Sequence, residues 1–582
     1  MKPLADVTPN TWAFLRDPMI APTGFREYDA RWKYPEGINL PGVTALGLGL
    51  GTQMTRRGIE PRIAVGNDYR DYSVAIKNAL ILGLTQAGIH VQDIGPALSP
   101  MAYFAQFHLD APAVAMVTAS HNPNGWTGVK MGFERPLTHG PDEMNELRDI
   151  VLNGEGEAKP GGTWERVDGV MEAYLDDLCG DFQMSRKLKI VCATGNGTAS
   201  AFAPEVLRRI GVEVVPSHNE LDYTFPHYNP NPEAMEMLHD MSASVKASGA
   251  DLALGFDGDG DRCGVVDDEG EEIFADIMGV IMARDLSRLY PNSTFVADVK
   301  STGLFASDPV LQANGAKADY WKTGHSHMKR RVHEIGALAG FEKSGHYFLA
   351  EPIGRGYDCG MRVAVEVCKL LDRNPDMKMS DLRKALPKVY NTPTLSPYCP
   401  DLEKYDTLQR IVDRIVPMKG QGTLGGQKIV DVITVNGARV MLENGGWGLV
   451  RASSNTPNLV VVCESPTSQE ELRAIFEDLD AIIRVEPNVG DYDPVCIVLE
   501  SVAMFRIALL FLCLASPTFA QEPVQPSGTI STAQDSLGDA AIDRRIEAII
   551  AELDGYDGVS VDVREGIVTF SGEVVEAAAV PT

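Results

Sequence analysis

Apolar and polar positions fall in alternating blocks along most of the chain. The short apolar runs "RIAVGND" and "IHVQDIG" read as buried strands, and the longer periodic stretch between them, "YSVAIKNALILGLTQAG", reads as a helix. A third apolar run, Ala113–Val117, leads into "TASHNPNG". The order restarts at "LKIVCATGNGTAS", which the helical "FAPEVLRRIG" and the strand-like "VEVVPSH" follow, and again at "STFVADVKSTG". Such alternation predicts α/β units with largely parallel strands. Two restarts after the first run predict three similar units, although no repeat is strong enough to prove duplication. Near residue 390 the text changes. "YNTPTLSPYCP" is Pro-rich and reads as a linker, and beyond it a helical "KYDTLQRIVDRIV", a strand-rich stretch and the amphipathic "SQEELRAIFEDLDAII" predict a smaller α+β domain. The expected organisation is α/β over 1–165, 166–274 and 275–390, α+β over 391–487, and a tail from 488 to 582.

A length of 582 residues is too great for one core, and 44% hydrophobic with 23% charged residues is ordinary for globular protein. The formal charge of −28 speaks against a nucleic-acid partner, since phosphate backbones need clustered Lys and Arg. Small anionic ligands remain open to it, because they feel local fields rather than net charge. Nine cysteines occur without any C-x-x-C, which excludes a zinc site of familiar spacing and points to a reducing compartment. "MKPLADVTPNTWAFLRD" has no apolar h-region, so the first domains are expected in the cytoplasm, away from any membrane.

Four stretches carry candidate chemistry. In "VTASHNPNGWTGVKMG", Ser120 and His121 follow a strand and enter a turn that Pro123 and Gly125 keep from being helix or central strand. Open α/β sheets put ligands at such strand ends. In "LALGFDGDGDRCGVVDDEG", Asp257, Asp259 and Asp261 alternate with glycines, so an extended loop can bring their carboxylates to one point. Three convergent carboxylates need a cation, and hard oxygen ligands suit Mg2+. An EF-hand loop is excluded, because its sixth position would be Arg262 rather than Gly and its twelfth is Asp268. In "GFEKSGHYF", Glu342, Ser344 and His346 alternate, so an extended segment would put them on one face, an inventory suited to sugar hydroxyls. In "LVRASSNTPNLVVV", Arg451, Ser453, Ser454 and Asn455 form a donor set suited to phosphate. No G-K-[ST] follows, so this is not a Walker loop. Gly47, Gly49 and Gly51 lack the dinucleotide fingerprint and read as a close-packed strand or loop.

Taken in order, these four stretches resemble the α-D-phosphohexomutase superfamily, in particular its bacterial phosphomannomutase/phosphoglucomutase group, over some 465 residues, roughly from "GFREYDARW" to "RVEPNVG". The resemblance implies three α/β domains and a smaller C-terminal one around a central cleft. It implies that Ser120 carries a phosphoryl group, that Ser120, Asp257, Asp259 and Asp261 hold Mg2+, and that Arg262 faces the reacting phosphoryl group. By the same resemblance Tyr28, Lys300 and His325 face substrate, Arg31 and Lys130 are candidate acid/base groups, and His121 steers the loop. The implied activity is interconversion of hexose 1- and 6-phosphates, of mannose or glucose, with a hexose 1,6-bisphosphate as intermediate and activator. The implied partner is a small phosphosugar, and the implied state a monomer or small homo-oligomer. A phosphoglucosamine mutase and a catalytically silent phosphosugar-binding paralogue are the alternatives. Trp32, Phe341, Thr127 and Asn455 depart from the usual residues, but none removes a charged group.

The resemblance stops near residue 487. "MFRIALLFLCLASPTFAQE" reads as a secretory signal peptide, with Arg506, an apolar run over 507–515 and a small-residue site ending at Ala520. It is too short for a comfortable membrane span. The stretch 540–576 shows a helix pattern and then alternating strands, and resembles the start of a BON domain. The tail is therefore expected to add nothing to the site, and a cut after residue 487 to be harmless.

Overall fold

The computed structural model describes residues 2–5, 7–453, 456–492, 530–531, 559–564 and 567–572. Its N-terminal sheet has the order Ala30–Lys33, Trp126–Gly132, Ala113–Val117, Arg62–Asn67, His90–Pro96 and Thr163–Arg166. The four strands from Ala113–Val117 onward run parallel, whereas Trp126–Gly132 turns back antiparallel beside Ala113–Val117. The second sheet repeats the device. Lys189–Ala193 pairs in parallel with Leu252–Phe256, which then pairs antiparallel with Cys263–Asp267. So does the third, where Thr294–Asp298 lies parallel to Ala339–Phe341, and Tyr347–Leu349 returns antiparallel. In each sheet a parallel strand is followed by a hairpin at the same side, and a site motif occupies the connecting loop.

The fourth sheet is antiparallel throughout its ladder from Tyr390–Asn391 through Leu459–Ser465, Trp447–Ala452 and Ala438–Leu442 to Gln427–Ile433, with helices Lys404–Ile415 and Gln469–Ile483 packed on it. Three α/β sheets and one α+β domain are the expected fold. A continuous body of buried apolar side chains runs from Met116 through Phe256 and Phe341 to Trp447, one residue from each sheet.

Three expectations need correction. The LGLGLGT stretch is helical, within Leu40–Arg56. Its glycines serve close helix packing: a Cβ on Gly47 would come within 2.2 Å of the Leu80 carbonyl oxygen, and one on Gly83 within 2.0 Å of that of Thr44. Only a side-chain-free pair lets the backbones of Leu40–Arg56 and Ser73–Gln86 approach so closely. The Pro-rich stretch near residue 390 is not a free linker, because Tyr390 pairs with Ser465, Leu395 bridges Val461, and Cys399 is fully buried. The fourth domain also runs past residue 487. Val489 is buried in its core, Asn488 Nδ2 donates to Thr407 Oγ1 at 2.6 Å, and the Tyr492 hydroxyl bonds Asp480.

The tail, taken by itself, has the strands Val559–Arg564 and Ile567–Gly572 paired antiparallel, with Ile530–Ser531 beside the second. The signal-peptide-like stretch 504–520 and the expected helix after Asp543 lie outside the described residues. No helix among the described residues is long and apolar enough to cross a membrane.

Candidate active site

Ser120 stands just beyond Ala113–Val117 with φ of 52°, the left-handed region that a residue with a Cβ rarely adopts. The conformation is held from several sides. The Ser120 amide donates to Thr118 Oγ1 at 2.9 Å, Arg70 Nη2 donates to the Ser120 carbonyl, and Asn229 Nδ2 donates to the carbonyl of His121. Arg70 is itself paired with Asp68 at 3.0 Å, both buried, and Asp68 accepts from the amide of Ala119. Strain of order 1 kcal/mol persists where surrounding structure over-determines it, as at functional sites. The result aims Ser120 Oγ at Asp257 Oδ2, 3.2 Å away.

The aspartate loop joins Leu252–Phe256 to Cys263–Asp267, and its three carboxylates are fully buried with oxygens within 4.8 Å of one another. Lys130 Nζ, from the strand beside Ala113–Val117, donates to Asp259 Oδ2 at 2.7 Å and to Asp261 Oδ2. Burial alone would lower its pKa, but Asp259 and Asp261 hold it well above the usual value, so it stays an ammonium. One ammonium does not balance three carboxylates. Burial and the charges of Asp261 and Asp259 push Asp257 well above the usual carboxylate range, and Asp259 Oδ1 and Asp261 Oδ1 are buried without hydrogen-bond partners. A surplus of negative charge, with orphaned hard oxygens facing one point, fits a divalent cation such as Mg2+.

Cationic side chains surround the cluster. Arg31 Nη1 donates to the Thr118 carbonyl at 2.5 Å, and its Nη2 pairs with Asp29 at 2.9 Å. Arg262 donates from Nε to His346 Nε2 at 3.0 Å and from Nη1 to Glu233 at 2.9 Å. The charge of Arg262, then burial, then Arg31 hold His121 well below the usual histidine pKa. Its neutral Nδ1 lies 3.4 Å from Ser120 Oγ.

Residues 342–346 form a hairpin turn rather than the expected extended segment: the Glu342 amide donates to the His346 carbonyl at 2.9 Å, and Gly345 has φ of 93°. The turn is tied to the aspartate loop by the amide of Cys263, which donates to the Gly345 carbonyl at 3.1 Å. Glu342 accepts from the amide of Gly324, burial raises its pKa, and Ser344 Oγ is buried without a partner. His325 opens the helix His325–Glu334 and packs edge-on against Tyr28, 4.8 Å between centroids. Burial drives its pKa well below the ordinary value. Lys300 follows the strand Thr294–Asp298 and acts on Glu342 through its charge.

Arg451 ends up near Tyr28, whose phenol is held neutral by burial and by the charges of Glu342, Asp29 and Glu27, with Arg451 opposing them only weakly. Ser453 accepts from the hydroxyl of Thr456 at 2.8 Å. Ser454 and Asn455 lie outside the described residues.

Each α/β sheet thus sends one loop to the same place, and the comparisons with known proteins name that architecture. Residues 22–157, 172–270 and 275–390 match the phosphoglucomutase/phosphomannomutase alpha/beta/alpha domains I, II and III, and residues 398–482 match the C-terminal domain of the same family. The chain belongs to the phosphoglucomutase/phosphomannomutase family. It is 33% identical over 468 residues to a phosphomannomutase/phosphoglucomutase of Pseudomonas putida, covering 80% of this chain and 96% of that protein. A Neisseria gonorrhoeae phosphoglucomutase is 31% identical over 465 residues, with 80% and 97% covered. The crystal structure of a phosphoglucomutase/phosphomannomutase family protein from Burkholderia thailandensis has a TM-score of 0.73 and 29% identity, covering 81% of this chain and all of that one.

In this member of the family, several residues that support the site carried no sequence motif. Asp68 and Arg70 brace the serine loop, Ser99 Oγ donates to Asp259 Oδ2 at 2.5 Å, and Asp358 lies 3.0 Å from His346 Nδ1. Asn229 and Glu233 come from "FPHYNPNPE", where the crowding of Pro and Asn between a strand and a helix was the available signal. Two of the departures have packing reasons. Trp32 donates its indole N–H to the Ala21 carbonyl at 2.8 Å, and Phe341 stacks on Phe305 at 5.4 Å.

Proposed function

We propose that this chain is an isomerase that interconverts hexose 1- and 6-phosphates of mannose or glucose, with phospho-Ser120 as the donor and acceptor of the moving phosphoryl group. The observation that carries the reading is Ser120 Oγ at 3.2 Å from Asp257 in a buried three-aspartate cluster. A site built only to bind has no use for a strained serine pointed at a carboxylate triad.

In the first half-reaction the bond from Ser120 Oγ to phosphorus breaks as a sugar hydroxyl oxygen bonds the same phosphorus. The product is a hexose bisphosphate, whose other phosphate returns to Ser120 after the sugar turns over in the cleft. Such transfer depends on in-line positioning and positive charge around the equatorial oxygens. Asp257, Asp259 and Asp261 would hold Mg2+, which supplies that charge at the transferring group. Arg31 and Arg262 remain cationic and add to it. Lys130, kept protonated by its two aspartates, gives its proton to the departing Ser120 oxygen and takes up the one that the attacking sugar hydroxyl releases. Neutral His121 keeps the Ser120 side chain in its rotamer. Arg451 with Ser453, Ser454 and Asn455 grips the non-reacting phosphate, while Glu342, Ser344 and His346 meet sugar hydroxyls, with Tyr28, Lys300 and His325 lining the same cleft. A cytoplasmic setting is supported by the seven described cysteines, all free and buried.

The test mixes purified protein with mannose 1-phosphate or glucose 1-phosphate, Mg2+ and a trace of the matching 1,6-bisphosphate. A 6-phosphate product that disappears with EDTA is expected. No product from either sugar phosphate overturns the reading.

A further inference from the structure

Arg439 lies on the strand Ala438–Leu442 of the C-terminal sheet and is fully buried. Its Nη1 donates to the carbonyls of Val299 and Ser301, 2.7 Å each. The guanidinium is flanked by two rings, Tyr320 at 4.0 Å and Trp447 at 3.7 Å. The two accepting carbonyls stand on either side of Lys300. The loop is pinned further along as well: the Tyr320 hydroxyl donates to the Thr302 carbonyl at 2.8 Å, and the Gly303 amide to Glu464 Oε1 at 2.7 Å. Glu464 also accepts from the indole N–H of Trp447. Trp447 opens the strand Trp447–Ala452, which carries Arg451.

Burial alone does not call for an arginine here. An apolar side chain of the same volume commonly serves a buried position as well as a charge does, and Arg439 Nη2 is buried with no hydrogen-bond partner. What an apolar residue cannot do is bridge two carbonyls. A lysine could donate to both, but its ammonium lacks the planar face that stacks between the two rings, so it would hold the loop less firmly.

We infer that Arg439 is a positioning residue that grips the backbone on both sides of Lys300 and fixes Lys300 relative to Arg451, so that the sugar contact and the phosphate contact of one ligand are set together. The inference rests on the mutase reading for the roles of Lys300 and Arg451, but the grip itself does not.

The experiment uses the full chain with Arg439→Met and Arg439→Lys. Backbone hydrogen exchange over residues 299–303 should quicken about tenfold in Arg439→Met and about threefold in Arg439→Lys, with the strands of the C-terminal sheet unchanged. With glucose 1-phosphate, KM should rise about tenfold with little change in kcat. In a Lys300→Ala background the same substitution should cost less than about twofold in kcat/KM. Unchanged exchange over residues 299–303 overturns the grip, and a full additive loss in the Lys300→Ala background overturns the route through Lys300. If Arg439→Met does not fold, Arg439→Lys gives the same readings in smaller measure. A wild-type protein without turnover would sink the mutase reading alone, because exchange still decides what Arg439 holds.

Discussion

The two ends of the cleft are built differently. Around Ser120 the cationic and amide side chains are buried and cross-braced, while two carboxylate oxygens stay orphaned: Lys130 spans two aspartates, Arg70 and Asn229 hold the loop carbonyls, and Arg262 is bound by His346 and Glu233. At the other end, among the described residues, Arg451 Nη1 donates to the carbonyl of its neighbour Ala452 at 2.9 Å, and its Nε is buried without a partner. Burial there lowers its pKa, against the opposing charges of Asp298, Tyr28, Glu342 and Glu27. The difference teaches a division of labour. In-line transfer needs groups fixed before the ligand arrives, whereas a grip that must accept either phosphate of a turning sugar works through a guanidinium with a donor, Nε, still to be satisfied.

The largest effect should come from the fixed end. Ser120→Ala removes the oxygen that carries the phosphoryl group, so turnover should fall by about 10⁴ or more, while the melting temperature stays put because the deleted oxygen makes only the long contacts to Asp257 and His121, 3.2 and 3.4 Å. Intact mass sharpens the point. The wild-type protein incubated with a hexose 1,6-bisphosphate should gain one phosphoryl group, and the Ala variant none. A variant that still turned over at the wild-type rate would remove Ser120 from the chemistry. Next comes Asp259→Asn. It takes a charge from the triad and one of the two anchors of Lys130, so rate should drop about 10²-fold and the Mg2+ needed for half-activity should rise. Unchanged Mg2+ dependence would mean the cation sits elsewhere.

The fixed end was also the more legible in sequence. Alternating Asp and Gly, and a Ser-His-Asn-Pro turn after an apolar strand, are local patterns with local physical meaning. The hairpin at residues 342–346 was not legible in the same way, because period-2 spacing is shared by an extended strand and by a tight turn whose ends pair. Nor was the bracing by Asp68, Arg70 and Asn229, which acts over long sequence separations that one chain does not display. The glycines of Leu40–Arg56 misled for a related reason: their low helix propensity is overridden by the close approach of Ser73–Gln86, a tertiary fact.

At the free end the effect should be smaller and of another kind. Arg451→Ala removes grip on the non-reacting phosphate, so KM should rise roughly 10- to 100-fold with kcat changed little. A loss confined to kcat would show that Arg451 belongs with the fixed groups, and the contrast between the two ends would collapse.

The smallest effect concerns where the gripping domain ends. A cut after residue 487 removes Val489 from a core it helps to close, the bonds of Asn488 to Thr407 and Glu403, and the ring of Tyr492 that packs on Phe476 at 5.5 Å. Loss of one buried valine and two or three hydrogen bonds should cost roughly 2–4 kcal/mol in that domain. For a unit of this size, that is a melting shift of roughly 10 °C or somewhat more. Because Arg451 sits on the same sheet, KM should rise near the new transition while Ser120 still accepts a phosphoryl group. A cut after Tyr492 leaves those contacts whole and should leave the melting temperature and both constants unchanged. Equal behaviour of the two truncated proteins would mean that residues 488–492 add no stability to the sheet, and a loss with the longer one would mean that residues beyond Tyr492 support the enzyme.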